Sequence, residues 1–290
     1  MKSGEINHVY KIQTEKNPVI ARVFGYPDKP EDGLLLWIEK QLAKYTVPHA
    51  KLLYYSRDKK HFPYGFMISE FVEGLSGWDA IDNGVHTLAQ SYEQSGKILR
   101  KIHQIKLPRY GPINFGKGKD ADFVKFELEG LRNRLTDLIR QKVIPADTIL
   151  KTEYAIVTSL EPFKKTFHLV LLHGDASREN SILTKNKKFV LIDWDNAWSG
   201  IWMCDFIESS WWWLHLPEWK NENMRKTARN AFFKGYGKIE YSPKEVDQIQ
   251  YGLHLIKSVE KLHYYYFDRK EIKNFNLVKK VFFQLLNTKG

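Results

Sequence analysis

The sequence predicts a two-lobed α+β protein, with a small strand-rich lobe over residues 1–72 and a larger helical lobe over 73–290. Three observations carry this expectation. Short runs of alternating apolar residues crowd the N-terminal quarter, and helical spacing takes over after Glu73 and Gly74. Inside the helical part, a few apolar strands end in polar loops that hold His173, Asp175, Asn180 and Asp193. Strands gathered first and helices afterwards indicate segregated α+β layers rather than alternating βαβ units.

Each element follows from its local pattern. Residues 9–14 and 19–24 read as strands joined by the turn formers Lys16, Asn17 and Pro18. Over 31–45, Leu34, Leu35, Ile38 and Leu42 fall on one helical face, and Pro48 stops the helix. Two further strands are expected at 51–55 and 64–71, around the charged turn 56–61. The joint between the lobes falls at Glu70 to Gly74. Leu88, Tyr92, Ile98, Leu99, Ile102 and Ile105 recur at helical spacing and predict a central buried helix. The Pro- and Gly-rich stretch 108–118 is a loop. Helices follow at about 121–142 and 147–162, and again from Met203, with breaks near Pro217, Gly235 to Gly237 and Pro243.

Composition narrows the class. With 43% apolar and 27% charged residues, the 290-residue chain has enough apolar surface for a full core, so disorder is not expected. The single cysteine, Cys204, excludes an internal disulfide framework and fits a reducing cytosol. The N-terminus lacks the apolar core of a signal peptide, and no uncharged run is long enough to span a bilayer. A cytoplasmic protein without a membrane partner is expected. The formal charge of +11 is spread over several lysine groups and matches no nucleic-acid-binding module, so a nucleic-acid partner is not expected. A positive field also suits an enzyme that recruits a nucleotide triphosphate.

The chemistry resides in the stretch that holds His173, Asp175 and Asn180 and in the strand that ends at Asp193. An Asp followed five positions later by an Asn, then by a second Asp at a strand end, is the set that phosphoryl transfer from a nucleotide requires. Asp175 is the candidate base, which aligns a hydroxyl and takes its proton. Asn180 and Asp193 are the candidate Mg²⁺ ligands, because that ion prefers a few hard oxygens beside phosphate. His173, two positions before the base, is read as structural. Arg178 reads either as a contact to the γ-phosphate or as a solvated loop residue.

These motifs resemble the aminoglycoside phosphotransferase and choline kinase superfamily, whose fold is protein-kinase-like, and the resemblance extends from about residue 3 to 215. It implies a nucleotide-covering loop at Gly4 and Asn7, ahead of the pair Val9 and Tyr10. Arg22 stands where the family's phosphate-binding Lys would be, with Glu31 as its expected carboxylate partner and Glu39 as the second candidate. Backbone groups of Ser69 and Phe71 would bind adenine. Asp205 would bond the amides of the catalytic loop, and His103 would pack.

The resemblance implies an enzyme that uses ATP, or GTP, with Mg²⁺ to phosphorylate a hydroxyl of a small molecule. An aminoglycoside-like or amino-sugar acceptor leads, with choline or another amino alcohol as the alternative. A protein acceptor is disfavoured, since no activation segment of the protein-kinase type follows Asp193. A reading from another class is a non-catalytic nucleotide-binding regulator or a basic nucleic-acid binder. For the acceptor, Glu208 and Asp268 are the candidate carboxylates, and Trp211 and Trp212 the candidate rings for holding a mildly cationic amine. The lysine-rich C-terminal third argues against a strongly acidic pocket.

Overall fold

Alternation over residues 8–23 dictates an antiparallel hairpin, with β1 (His8–Ile12) and β2 (Val19–Val23) paired in register from His8 opposite Val23 to Ile12 opposite Val19. The Thr14 hydroxyl closes the turn by donating to the Asn17 carbonyl and accepting from the amides of Lys16 and Asn17. In the computed structural model the described residues are 7–27, 29–113, 122–215 and 221–287, the side chains of 212–214 excepted.

β3 (Leu52–Ser56) and β4 (Phe66–Glu70) complete a four-stranded antiparallel sheet of order β1-β2-β4-β3. α1 (Leu34–Lys44) buries the predicted face of Leu34, Leu35, Ile38 and Leu42. It starts later than the apolar spacing suggested, because Gly33 precedes it at φ +75°, a left-handed conformation that glycine tolerates. Glu31 is thereby left in a turn before the helix, its carbonyl accepting from the Leu34 amide.

The first sheet closes at Glu70, and β5 (Gly74–Ser76) already pairs with β8 (Ser181–Thr184), which carries β9 (Phe189–Leu191) on its other side. A second small sheet sets β10 (Trp198–Ile201) between β6 (Gly111–Pro112) and β7 (Leu169–Leu172). The tips of β7 and β9 thus converge on the polar loops at 173–180 and 192–196. Beyond the short α2 (Gly77–Asp82), the helices form the bulk of the lobe.

α3 (Leu88–Ile102) opens with a capping box of Thr87 and Gln90 and buries Tyr92, Ile98, Leu99 and Ile102 almost completely. It lies against α7 (Glu222–Tyr236), and two glycines set that distance. A Cβ on Gly96 would stand 2.3 Å from the Phe232 carbonyl oxygen, and one on Gly235 would stand 2.0 Å from that of Glu93. α4 (Phe123–Arg140), α5 (Thr148–Leu160) and α9 (Ile272–Asn287) pack around the long α8 (Pro243–His263), which α6 (Met203–His215) also meets as it runs from β10. Pro243 opens α8 rather than breaking it, at the first helical position behind a Ser242 cap. Among the described residues, no helix is long and apolar enough to cross a membrane.

Candidate active site

The loop after β7 is fixed from behind. Asp205, wholly buried in the first turn of α6, accepts the backbone amides of His173 (2.8 Å) and Gly174 (2.8 Å) and a bond from the His103 ring at 3.1 Å. Burial alone would raise this carboxyl, but the hydrogen bonds from the His103 ring and from the His173 amide outweigh it and hold Asp205 below its ordinary value. His103 in turn meets the Tyr236 hydroxyl at 2.9 Å, which ties the loop to α7. Gly174 takes φ +77°, and a Cβ there would fall 2.0 Å from the Asn196 carbonyl oxygen, so the tight turn admits only glycine.

His173 is buried against Trp194, with ring centroids 4.4 Å apart. Its Nδ1 accepts the Asp175 amide at 3.2 Å, which leaves the proton on Nε2 to donate to the Ile192 carbonyl at 3.0 Å. Burial depresses its pKa and keeps it neutral. His173 therefore ties the 173–180 loop to the strand end at 192 and stays in one tautomer.

Asp175 is half-buried at the front of this loop. Its carboxyl is raised to about 6, by burial first and then by the negative charges of Glu208 and Asp193. Asn180 donates from Nδ2 to the Asp175 backbone carbonyl at 3.1 Å, and its own carbonyl accepts the Ile192 amide at 2.9 Å. Asp193 takes φ +64°, a strained conformation for a residue with a side chain, and keeps 43% of that side chain exposed. An amide oxygen and a partly open carboxylate are hard donors suited to Mg²⁺.

Arg22 departs from expectation. Its guanidinium meets neither Glu31 nor Glu39; Nη1 lies 2.6 Å from Asp193 and Nη2 2.5 Å from Asp195. Burial weakens its charge, but Asp195 and Asp193 more than offset this, and its pKa lies above the ordinary value. The physical reason is geometric. Glu31 is outside the helix, and Glu39 accepts from the Leu52 amide at 2.9 Å and lies 3.2 Å from His49.

Asp195, which sequence reasoning left without a role, is therefore the second carboxylate of the site. Asn7 reaches it as well, donating at 2.9 Å while accepting the Gly25 amide at 3.1 Å. The signal was its position two residues after Asp193, in the same loop that follows β9. Ser69 is buried on β4, opposite Ile20 and Leu52, and Phe71 follows that strand with the Lys11 ammonium 3.7 Å above its ring. Gly4 lies outside the described residues.

Arg178 follows neither expected course. It is buried, with its guanidinium 3.4 Å above the Tyr92 ring, and its carbonyl accepts the Gly77 amide at 3.0 Å. Burial lowers its pKa. It pins the catalytic loop to α3 and to the start of α2.

The acceptor side also differs from expectation. Glu208 is not available to an amine: Lys257 sits directly on it, and Lys261 lies 3.6 Å away. Burial would raise Glu208, yet the two lysines hold it below its ordinary value. Trp211 is wholly buried and donates from Nε1 to the Ser258 hydroxyl at 3.2 Å, so it belongs to the core. The side chain of Trp212 lies outside the described residues. Asp268 is exposed at the end of a π-helical turn, Tyr264–Asp268, and no described contact brings it to Asp175. Trp211→Leu is accordingly expected to cost roughly 2–4 kcal/mol of stability and to leave the acceptor KM little changed. Thermal melting alongside steady-state kinetics checks this.

The model of the phosphotransferase enzyme family, APH, matches residues 1–241. No curated protein matches the sequence. Among solved structures, aminoglycoside phosphotransferase APH(4)-Ia superposes with a TM-score of 0.71 at 12% identity, covering 100% of this chain and 93% of its own. A choline/ethanolamine kinase family protein from Mesorhizobium loti gives 0.66 at 14% identity, covering 99% and 87%. Spectinomycin phosphotransferase APH(9)-Ia, in complex with ADP and spectinomycin, gives 0.58 at 15% identity, covering 99% and 90%. At these identities the likeness is one of fold.

Proposed function

Since the chain belongs to the phosphotransferase enzyme family, and is thus a phosphotransferase acting on hydroxyls of small molecules, we propose that it moves the γ-phosphate of ATP, with Mg²⁺, onto a hydroxyl placed at Asp175. The observation that carries this reading is the convergence of Asp175 with Asn180, which donates to its backbone carbonyl at 3.1 Å, and with Asp193, whose charge, after burial and Glu208, helps raise the Asp175 carboxyl to about 6. A base with that value is ionised at neutral pH yet still basic enough to take a hydroxyl proton as the phosphorus is attacked. Asn180 Oδ1 and Asp193 would hold the metal, which when bound neutralises phosphate charge. Arg22 would bind phosphate oxygens through its guanidinium, and Ser69 and Phe71 would offer backbone groups to adenine. ATP is favoured because related structures hold ADP or AMP-PNP.

Retention of the whole catalytic set argues for an enzyme rather than a regulator. The lysines on Glu208 argue against the amino-sugar and choline readings, since the carboxylate meant for an amine already has its cations. The reading is tested by screening hydroxylated small molecules for acceptor-stimulated, Asp175-dependent nucleotide consumption. Acceptor-independent hydrolysis alone, unchanged in Asp175→Asn, would sink it.

Arg22→Ala is expected to raise the nucleotide KM about 10- to 100-fold, the worth of one or two charge-assisted hydrogen bonds. Arg22→Lys should recover only part, because an ammonium cannot span two carboxylates as a planar fork does. Glu31→Gln should have no such effect. Nucleotide titrations on the three variants check this.

A further inference from the structure

Arg178 stands between Asp175 and Asn180 in the catalytic loop and is buried. Its carbonyl accepts the Gly77 amide at 3.0 Å, the Ser181 amide at 3.4 Å and the Ser181 hydroxyl at 3.0 Å. Its guanidinium lies 3.4 Å from the centre of the Tyr92 ring on α3 and 5.6 Å from that of Trp78 on α2. Nε and Nη2 meet no acceptor among the described residues. Burial disfavours the charge and outweighs the support of Tyr92 and Glu179.

A guanidinium does not shed its proton, so the loop carries a permanent cation into the interior and seats it on rings. Packing alone would be met at lower cost by an apolar side chain of similar length, such as Met. What Met lacks is the attraction of a positive plane for the electron-rich face of a ring, which strengthens away from water. That attraction is directional, and it fixes the backbone of Arg178 through its stem. The loop then has two anchors. Asp205 and His173 hold its entry, up to the Asp175 amide. Arg178 holds its exit, just ahead of Asn180, which donates to the Asp175 carbonyl.

We propose that Arg178 is a positioning residue for phosphoryl transfer: its cation, seated on the Tyr92 ring, fixes Asp175 relative to Asn180, and Tyr92 serves the reaction through that ring face. Both act through the loop backbone. This rests on the phosphotransferase reading above.

The test follows Mg²⁺-ATP consumption with water, glucose and glycerol as acceptors, taking the part that Asp175→Asn removes. Arg178→Met, Arg178→Lys, Tyr92→Phe and Tyr92→Leu are compared with the wild type, beside melting temperature, ATP affinity and amide exchange. Arg178→Met is expected to melt no lower than the wild type, since it removes a buried charge. It should keep its ATP affinity yet lose about 10- to 100-fold in kcat, the cost of displacing a reacting group by roughly an ångström. The amides of Gly77 and Ser181, which donate to the Arg178 carbonyl, should exchange faster, while those of His173 and Gly174 keep their protection. Arg178→Lys, a cation without the planar fork, should return part of the rate. Tyr92→Phe keeps the ring face and should hold most of the rate. Tyr92→Leu should match Arg178→Met, and the two losses should not add.

Unchanged kcat and exchange in Arg178→Met, or a full rate in Tyr92→Leu, overturns the proposal. So does a rate that falls only in step with melting temperature while exchange rises throughout α3 and α8, which is the mark of packing alone. Should Arg178→Met not fold, the contrast of Tyr92→Phe with Tyr92→Leu decides on the same terms. Absence of any Asp175-dependent consumption removes the phosphotransferase reading instead, and exchange at Gly77 and Ser181 then still decides whether the cation holds the loop.

Discussion

Asp175→Asn is expected to lower kcat by about 10²- to 10⁴-fold, the usual worth of a positioned general base, while nucleotide affinity stays near that of the wild type. The carboxylate acts on the acceptor hydroxyl, and the loop around it is held by Asp205 and His173, which the substitution does not touch. In the wild type, kcat/KM should climb with pH through about 6, where the Asp175 carboxyl gives up its proton. Stability should move the other way. The folded pKa lies above the unfolded one, so keeping Asp175 ionised opposes folding above that window. Removing the charge is then expected to stabilise the fold by on the order of 1–3 kcal/mol at neutral pH. An inactive variant that melts higher than the wild type identifies a catalytic carboxylate. One that melts lower identifies a structural one.

Asp205→Asn makes the opposite case. The amide presents donors to at least one of the groups that now donate to Asp205, and a buried charge-assisted set is broken. The expected loss is about 3–5 kcal/mol, as for breaking a buried pair from one side. Activity should fall with it, since the amides of His173 and Gly174 lose their anchor. The pH dependence follows from the direction of the shift. Asp205 is held below its ordinary value, so its contribution is complete above the unfolded carboxyl range and disappears as pH falls through the folded value. His173, kept neutral by burial, adds to acid sensitivity below the ordinary histidine range. Melting temperature against pH for wild type and variant tests both. Parallel curves at acid pH would show that Asp205 is not the group responsible.

What was legible in the sequence was what is local. The strands at 19–23 and 66–70, the buried face of α1, the long α3 and the Asp175-to-Asn180 spacing all depend on neighbours a few residues apart. The pairings that set charge were not legible, because they join residues far apart in the chain. Arg22 finds Asp193 across 171 positions, and the lysines reach Glu208 from another helix. Sequence pattern assigns a charged residue to a face, but it does not say which opposite charge the fold delivers there. Arg178 shows the same limit, since a loop arginine looks solvated until Tyr92 is seen beneath it. Trp211 was ambiguous because consecutive tryptophans on a helix face different ways, and only the packing shows which one enters the core.

The ties of Asn7 and Arg22 to Asp195 and Asp193 also bear on the order in which the chain acquires its structure. The hairpin of β1 and β2 can pair as soon as it is made, since its register needs no distant residue. Arg22, however, is seven-percent exposed and, among the described residues, its charge is matched by carboxylates that leave the ribosome more than 170 residues later. Until then its charge must stay hydrated, which holds that end of β2 open to water. The first sheet therefore nucleates early but locks late, after β9 has formed. In hydrogen exchange during refolding, the amides of β1 and β2 should gain partial protection first and full protection only together with those at 190–195.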